Sequence, residues 1–340
     1  MPSHAVLSRR LCALVLGLVA SLSGLAQAGP PVTRFCVFDP LGEQGEFYAM
    51  VRDYEVAAQS WGVLLELHAY TDETVAVEDF KAGQCDVVNV TGLRARQFND
   101  FTGTIDSPGS IETYAEMHDL LSLMDSPNLE KYMVSGQYEV AGIFPLGAGY
   151  PFVNDRKINT LAKVAGKKIA VMDWDTTQTV LVQQLGAQPV PSDITNYGAK
   201  FNNGSVDVII APIILYKPFE LYLGLGSKGG IVRRPVIQLT MQLLTRRGKL
   251  PTDFGQRSRE YVAGQEDRAF ALIHSLESQV DEHLWMYITT DERNAYYQLM
   301  RDARVQLAAQ GFYDKRMLDI LKHVRCKANP SDGECSQNEE

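Results

Sequence analysis

Histidine, cysteine and long hydrophobic runs are all scarce in this 340-residue chain, and positive charge falls short of negative. Past residue 28 the most apolar stretch, 206–216, is eleven residues long and contains Asp207. A membrane-spanning helix needs ~20 apolar residues, so no later segment reads as one. The six histidines (His4, His68, His118, His274, His283 and His323) are scattered, and neither CxxC nor HExxH occurs, so the sequence offers no metal centre. It also lacks GxxxxGK[ST] and GxSxG. Gly224-x-Gly226-x-x-Gly229 matches the dinucleotide fingerprint as a string, yet it follows a helical stretch and runs into a strand, the wrong context for that site. No cofactor is implied. Lys+Arg 32 against Asp+Glu 41 gives a net charge of −9, opposite in sign to a nucleic-acid or anionic-membrane binder.

What is present begins with a leader. Arg9-Arg10 form a positive start, 11–25 an apolar run, and Ala26-Gln27-Ala28 a small-residue cleavage site, so removal after Ala28 is expected. Cys12 lies inside the apolar run and not at the cleavage site, which disfavours a lipid anchor. The mature chain is expected to be exported, without insertion into the membrane. Four cysteines then remain, an even number suited to an oxidising compartment. Cys326 and Cys335 bracket a short polar loop whose closure is worth ~2.5–3 kcal/mol on the chain-entropy model. Cys36 and Cys85 pair by default.

The remaining length allows two domains of ordinary size. A strand at 34–38, a helix from Phe47 to Trp61, a strand at 63–70, a short helix at 77–82 and a strand at 86–90 specify a parallel sheet with helices on its faces, and a 2-1-3 order would set Cys36 and Cys85 on neighbouring strands. The same grammar returns at 168–172, 177–185, 188–190, 195–202 and 207–210. Three landmarks recur in order: Val37-Phe38-Asp39 with Val171-Met172-Asp173, Gly62 with Gly186, and Gly83-x-x-Asp86 with Gly204-x-x-Asp207. Extended apolar segments at 138–144 and 236–245 bracket the second unit, and helices follow 251, one opened by the capping box Thr289-x-x-Glu292. In open parallel sheets ligands bind beyond the carboxyl ends of the strands. The candidate ligand-binding residues there are Asp39, Glu43, Thr91 and Arg94 in the first unit, and Asp173, Trp174, Asp175 and Thr176 in the second. Asp39 and Asp175 read equally well as N-caps of the helices that follow them. No nucleophile–base pair stands out, so no catalytic residue is assigned and an exported enzyme ranks below a binding protein.

Residues 161–222 resemble the second lobe of TRAP-transporter periplasmic solute-binding proteins. The resemblance is carried by Gly166-Lys167-Lys168-Ile169, by Leu185-Gly186-Ala187-Gln188-Pro189-Val190-Pro191, and by Gly204-Ser205-Val206-Asp207. It implies a two-lobed α/β fold, class II-like, with two parallel-rich sheets, flanking helices and C-terminal helices on the first lobe. The implied division is leader 1–28, first lobe 29–137, second lobe with hinge strands 138–240, first-lobe completion 241–325 and polar tail 326–340. It also implies capture of a small polar solute between the lobes, in the periplasm, for a membrane permease. The alternative is an accessory or sensor component of an efflux-type complex, since the sequence looks closer to a divergent subgroup that carries such labels. Two departures bear on the ligand. Where the family places a carboxylate-binding Arg after the Ile, this chain has Ala170, and the family's Asn before the Pro after the third strand is Ala211. With Asp39, Glu43, Asp173 and Asp175 facing Arg94 and Arg96, a cationic or hydroxyl-rich solute is expected over a dicarboxylate.

Overall fold

A computed structural model describes residues 32–337; the expected leader and its cleavage site lie outside them. In chain order the strands are β1 (Val32–Phe38), β2 (Leu64–Tyr70), β3 (Val87–Thr91), the short β4 (Val134–Ser135) and the 16-residue β5 (Tyr138–Val153). Then come β6 (Lys168–Met172), β7 (Gln188–Ser192), β8 (Val208–Pro212), β9 (Gly230–Val232), the 10-residue β10 (Ile237–Arg246) and β11 (Trp285–Met286). The main path across the sheet is β2-β1-β3-β10-β5-β8-β6-β7.

Two parallel triplets form the halves of the molecule. In the first, β1 lies between β2 and β3; in the second, β6 lies between β7 and β8. Both have the 2-1-3 order, which in the first unit makes the Cys36 strand a neighbour of the strand that follows Cys85. The central strand of each is buried on both faces along most of its length, as parallel strands covered by crossover helices are. Cys36 and Phe38 of β1 pack to one side with Phe80 and Val88, while Phe35 and Val37 pack to the other with Tyr54 and Leu65. In β6, Ala170 points to one core and Ile169 and Val171 to another.

The two sheets expected from the repeat are joined into one hydrogen-bonded path by β5 and β10. These strands run antiparallel from Tyr138–Arg246 to Gly149–Ile237, with register slips at Leu239/Thr240 and Leu243/Leu244. β10 also pairs β3, and beyond Gly149 β5 turns to β8. One strand therefore serves both halves. Gly147, at φ +110°, holds a conformation that side chains resist, and it marks the crossing. The crossing lies at 145–149, between the pairing of Pro145 with Thr240 and that of Gly149 with Pro212.

The C-terminal helices were expected on the first lobe. Lys315–Ala328 does pack there, whereas Thr290–Ala309 also reaches the helices Leu161–Val164 and Thr176–Gln184 of the second. Leu161 N–H donates to Glu292 across that contact at 3.1 Å. Both disulfides form as expected, Cys36–Cys85 in the first core and Cys326–Cys335 near the C-terminus. The loop closed by the second is a brace and not a loose tail. Its Glu334 grips Arg325 at 2.6 and 2.9 Å, and Arg325 in turn donates to the Ser110 carbonyl at 2.8 Å. Arg304, 3.8 Å from Glu334, donates to the Pro108 carbonyl at 2.8 Å.

Reduction of the mature protein should add four hydrogens to its intact mass, and four free thiols before reduction would contradict both bridges. The two bridges close loops of unequal length, with separations of 49 and 9 residues. Replacing Cys36 and Cys85 by Ala should therefore cost ~4 kcal/mol in urea unfolding, against ~2.6 kcal/mol for Cys326 and Cys335.

Candidate functional site

A cavity of about 140 Å³ lies where the two triplets and the connecting strands β5 and β10 meet. The first half contributes Phe38, Glu73, Thr91, Leu93, Asp106 and Pro108. The second contributes Ile169, Ala170, Met172, Trp174, Gln178 and Tyr197, among others. β5 and β10 supply Leu146, Ile237 and Leu239, and Tyr313 comes from the loop between the last two helices. The walls are mainly hydrocarbon and aromatic, less polar than the strand-end residues named from the sequence. No Lys, Arg or His is among the lining residues.

Its two acids are both buried. Glu73 lies in the first turn of the helix Glu73–Lys81, which Asp72 caps. It accepts the Thr91 N–H at 2.6 Å and sits 3.6 Å from the Arg94 Nε. Burial raises its pKa, an effect that Arg94 opposes. Asp106 is fully buried and accepts both the N–H and the hydroxyl of Thr240, at 2.9 and 2.6 Å. Thr240 stands at the first register slip of β10, just past the end of the β3 ladder at Thr91–Met241. Asp106 thus satisfies a backbone donor at the irregular point of β10. Gly92 makes this approach possible: a Cβ there would lie 2.3 Å from the Thr240 hydroxyl and 2.4 Å from the Asp106 carboxylate. Burial pushes Asp106 up to about 7, against the pull of Thr240 and the more distant Arg96.

Two arginines close the edge of the cavity. Arg96, from the first half, donates to Asp175 of the second at 2.9 Å and to the Thr177 hydroxyl at 3.3 Å. Arg94 lies over the Trp174 ring at 3.8 Å and donates to Thr74 at 2.8 Å. Burial lowers its pKa, which Glu73 opposes. Both guanidiniums therefore make contacts from one half to the other. A neighbouring, more open cleft shares Leu93, Trp174 and Thr177 with the cavity and includes Arg94 and Arg96.

The sequence-derived candidates fall into three groups. Thr91 and Trp174 line the cavity. Arg94, Asp175 and Thr176 lie along the open cleft beside it, where Asp175 caps Thr176–Gln184 by accepting the Thr177 N–H and also pairs with Arg96. Asp39, Glu43 and Asp173 are outside the lining. Asp39 accepts N–H groups from Leu41, Phe47 and Tyr48, so it orders the turn into the first long helix, and Glu43 and Asp173 are exposed. Sequence reasoning missed Glu73, Asp106, Gln178, Tyr197 and Tyr313. Asp72-Glu73 four residues ahead of the expected helix was a legible start signal. Asp106, between Ile105 and Ser107-Pro108-Gly109, reads only as a turn.

Comparison with known proteins decides the family. Residues 55–340 match the model of the family described as solute-binding protein AdeT 1/2. The chain belongs to this family. It is 48% identical over 304 residues to the probable solute-binding protein AdeT1 of Acinetobacter baumannii, across 89% of this chain and all of that protein. The AdeT 1/2 fold is that of two-lobed TRAP periplasmic binding proteins. A Ralstonia eutropha member with bound (S)-2-acetolactate superposes with a TM-score of 0.71 at 11% identity, covering 87% of this chain and 99% of that one. The galactonate complex of a sugar acid binding protein from Advenella mimigardefordensis gives 0.70 at 15%, covering 88% and 99%.

Arg96→Ala leaves Asp175 buried without its cation and should cost ~3 kcal/mol or more. Small-angle scattering should also show the variant more extended than the parent; an unchanged radius would mean that the pair does not hold the halves together. A second outcome concerns pH. Asp106 and Glu266, each raised to about 7, bind more protons folded than unfolded between their ordinary values of 3.8 and 4.5 and pH 7. Stability should then fall as pH rises through that window. Urea midpoints at pH 5, 6.5 and 8 should decline, and Asp106→Asn should flatten the decline.

Proposed function

We propose that this AdeT 1/2 family member works in the periplasm, after removal of its leader at Ala28. There it captures a small organic solute in the cavity between its lobes and presents it to a membrane transporter. The lobes on this reading are 29–137 with 241–325, and 138–240, hinged where β5 crosses at 145–149 and where β10 slips at Leu239/Thr240. The observation that carries the reading is the cavity itself, lined from both halves and from both connecting strands. A pocket so placed exists only when the halves are together, so a molecule bound there favours the closed arrangement. Thr91 and Trp174 would contact the solute, while Arg94, Arg96 and Asp175 would act on closure. The role of carrier needs no bond-making chemistry. Among the described residues no helix is long and apolar enough to cross a membrane, so the transporter would be a separate chain.

Native mass spectrometry of freshly purified protein should show a small organic adduct that is lost on unfolding and regained on refolding with the released fraction. Ala170 is buried on the cavity wall, and Ala170→Phe should fill the space and lower retention at least tenfold. Full retention by a folded Ala170→Phe variant would place the solute elsewhere.

A further inference from the structure

We propose that the solute is a monovalent organic cation, an ammonium group on a mainly hydrocarbon body, with its charge seated against Asp106. The proposal rests on the solute-capture reading above and goes on to name the class of solute. Three observations lead to it. First, the cavity is lined by Glu73 and Asp106 and by no basic side chain. Second, the buried charges around it do not balance: Glu73, Asp106 and Asp175 face only Arg94 and Arg96. Arg94 is 3.6 Å from Glu73 and Arg96 is 2.9 Å from Asp175, which leaves Asp106 with hydroxyl and amide donors from Thr240 alone. A buried carboxylate without a cation is unfavourable, and an incoming ammonium supplies the missing charge. Third, Tyr313 lines the same cavity and is buried, its hydroxyl facing Thr177 and Arg96 and its ring left as aromatic surface.

The walls set the rest of the molecule. Phe38, Tyr197 and Tyr313 provide aromatic surface suited to a cation, and Leu146, Ile169 and Leu239 provide hydrocarbon. The volume of about 140 Å³ is on the order of ten times what a single water needs, room for a body of roughly ten non-hydrogen atoms. A carboxylate is the rival that the test must separate, because Arg94 Nε and Arg96 Nη1 in the adjoining cleft lack hydrogen-bond partners.

Benzylammonium, benzyl alcohol and benzoate share one body and differ in charge. Each is titrated into mature protein that has been unfolded, stripped and refolded, at pH 8, with thermal shift and calorimetry as readouts. Benzylammonium should bind at least tenfold more tightly than benzyl alcohol, and benzoate should not bind. Asp106→Asn keeps an acceptor for the Thr240 N–H; it should bring benzylammonium down to the level of the alcohol and leave the alcohol unchanged. Should that variant fail to fold, the three-way comparison on the parent protein decides alone. Preference for benzoate, parity of benzylammonium with the alcohol, or an unaltered preference in folded Asp106→Asn would each overturn the proposal. Release of an anionic solute from fresh protein would overturn it and leave solute capture standing. No released solute together with no binding of any probe would remove both.

Discussion

The contact between Asp106 and Thr240 ties the rest of the molecule together. Thr240 lies at the register slip of β10, where the β3 ladder has ended and the pairing to β5 shifts. A backbone N–H at such a place must find a partner, and Asp106 provides it together with a bond to the hydroxyl. The turn that carries Asp106 is fixed from behind. Arg304 and Arg325 hold the carbonyls of Pro108 and Ser110, and Glu334 on the Cys326–Cys335 loop holds the arginines. A short disulfide loop near the C-terminus thereby sets the position of one carboxylate beside the β10 slip and on the cavity wall.

The same economy governs the arginines. A guanidinium that already spans two halves of a protein is not free to define a ligand, because the groups that satisfy it move with it. Arg96 is committed to Asp175 and Thr177, and Arg94 to Glu73, Thr74 and the face of Trp174. In a cavity whose β6 wall carries Ala170, these side chains stand outside the lining. The neighbouring structures with acetolactate and galactonate share the fold at 11% and 15% identity, a level at which the lining residues can differ entirely. Likeness of fold is therefore no guide to ligand charge here; the side chains on the wall are.

The sequence made the parallel triplets legible because they depend on local signals. Strand–helix–strand periods, glycines after helices and the repeat of Gly83-x-x-Asp86 in Gly204-x-x-Asp207 all act over a few residues. Both disulfides were legible too, from an even count and one short spacing. The cavity was less so. The strand-end rule led to Thr91 and Trp174, and to Arg94 and Asp175 beside them, but it gave equal weight to Asp39, whose carboxylate is taken up by three backbone N–H groups. Asp106 was beyond reach for a physical reason. Its partner Thr240 is 134 residues away, and the slip that frees the Thr240 N–H depends on how two long strands pair. Glu73 was missed by a smaller margin, through a helix start placed four residues late.

Closure on the proposed reading is a balance between two buried interactions of opposite sign. The Arg96–Asp175 pair bridges the halves and favours their approach whatever the cavity holds. Asp106 opposes it, since closing strips water from a carboxylate that has no cation beside it, and the rise of its pKa to about 7 expresses that cost. A solute can shift such an equilibrium only by binding one state better than the other. A neutral body gains from the hydrocarbon walls in the closed state, but it leaves the Asp106 charge unmet. An ammonium gains from the walls and also removes the penalty, so its preference for the closed state exceeds that of its neutral analogue by the strength of that one contact. Selectivity and closure would then draw on the same carboxylate, and the hinge residue it holds is where the two meet.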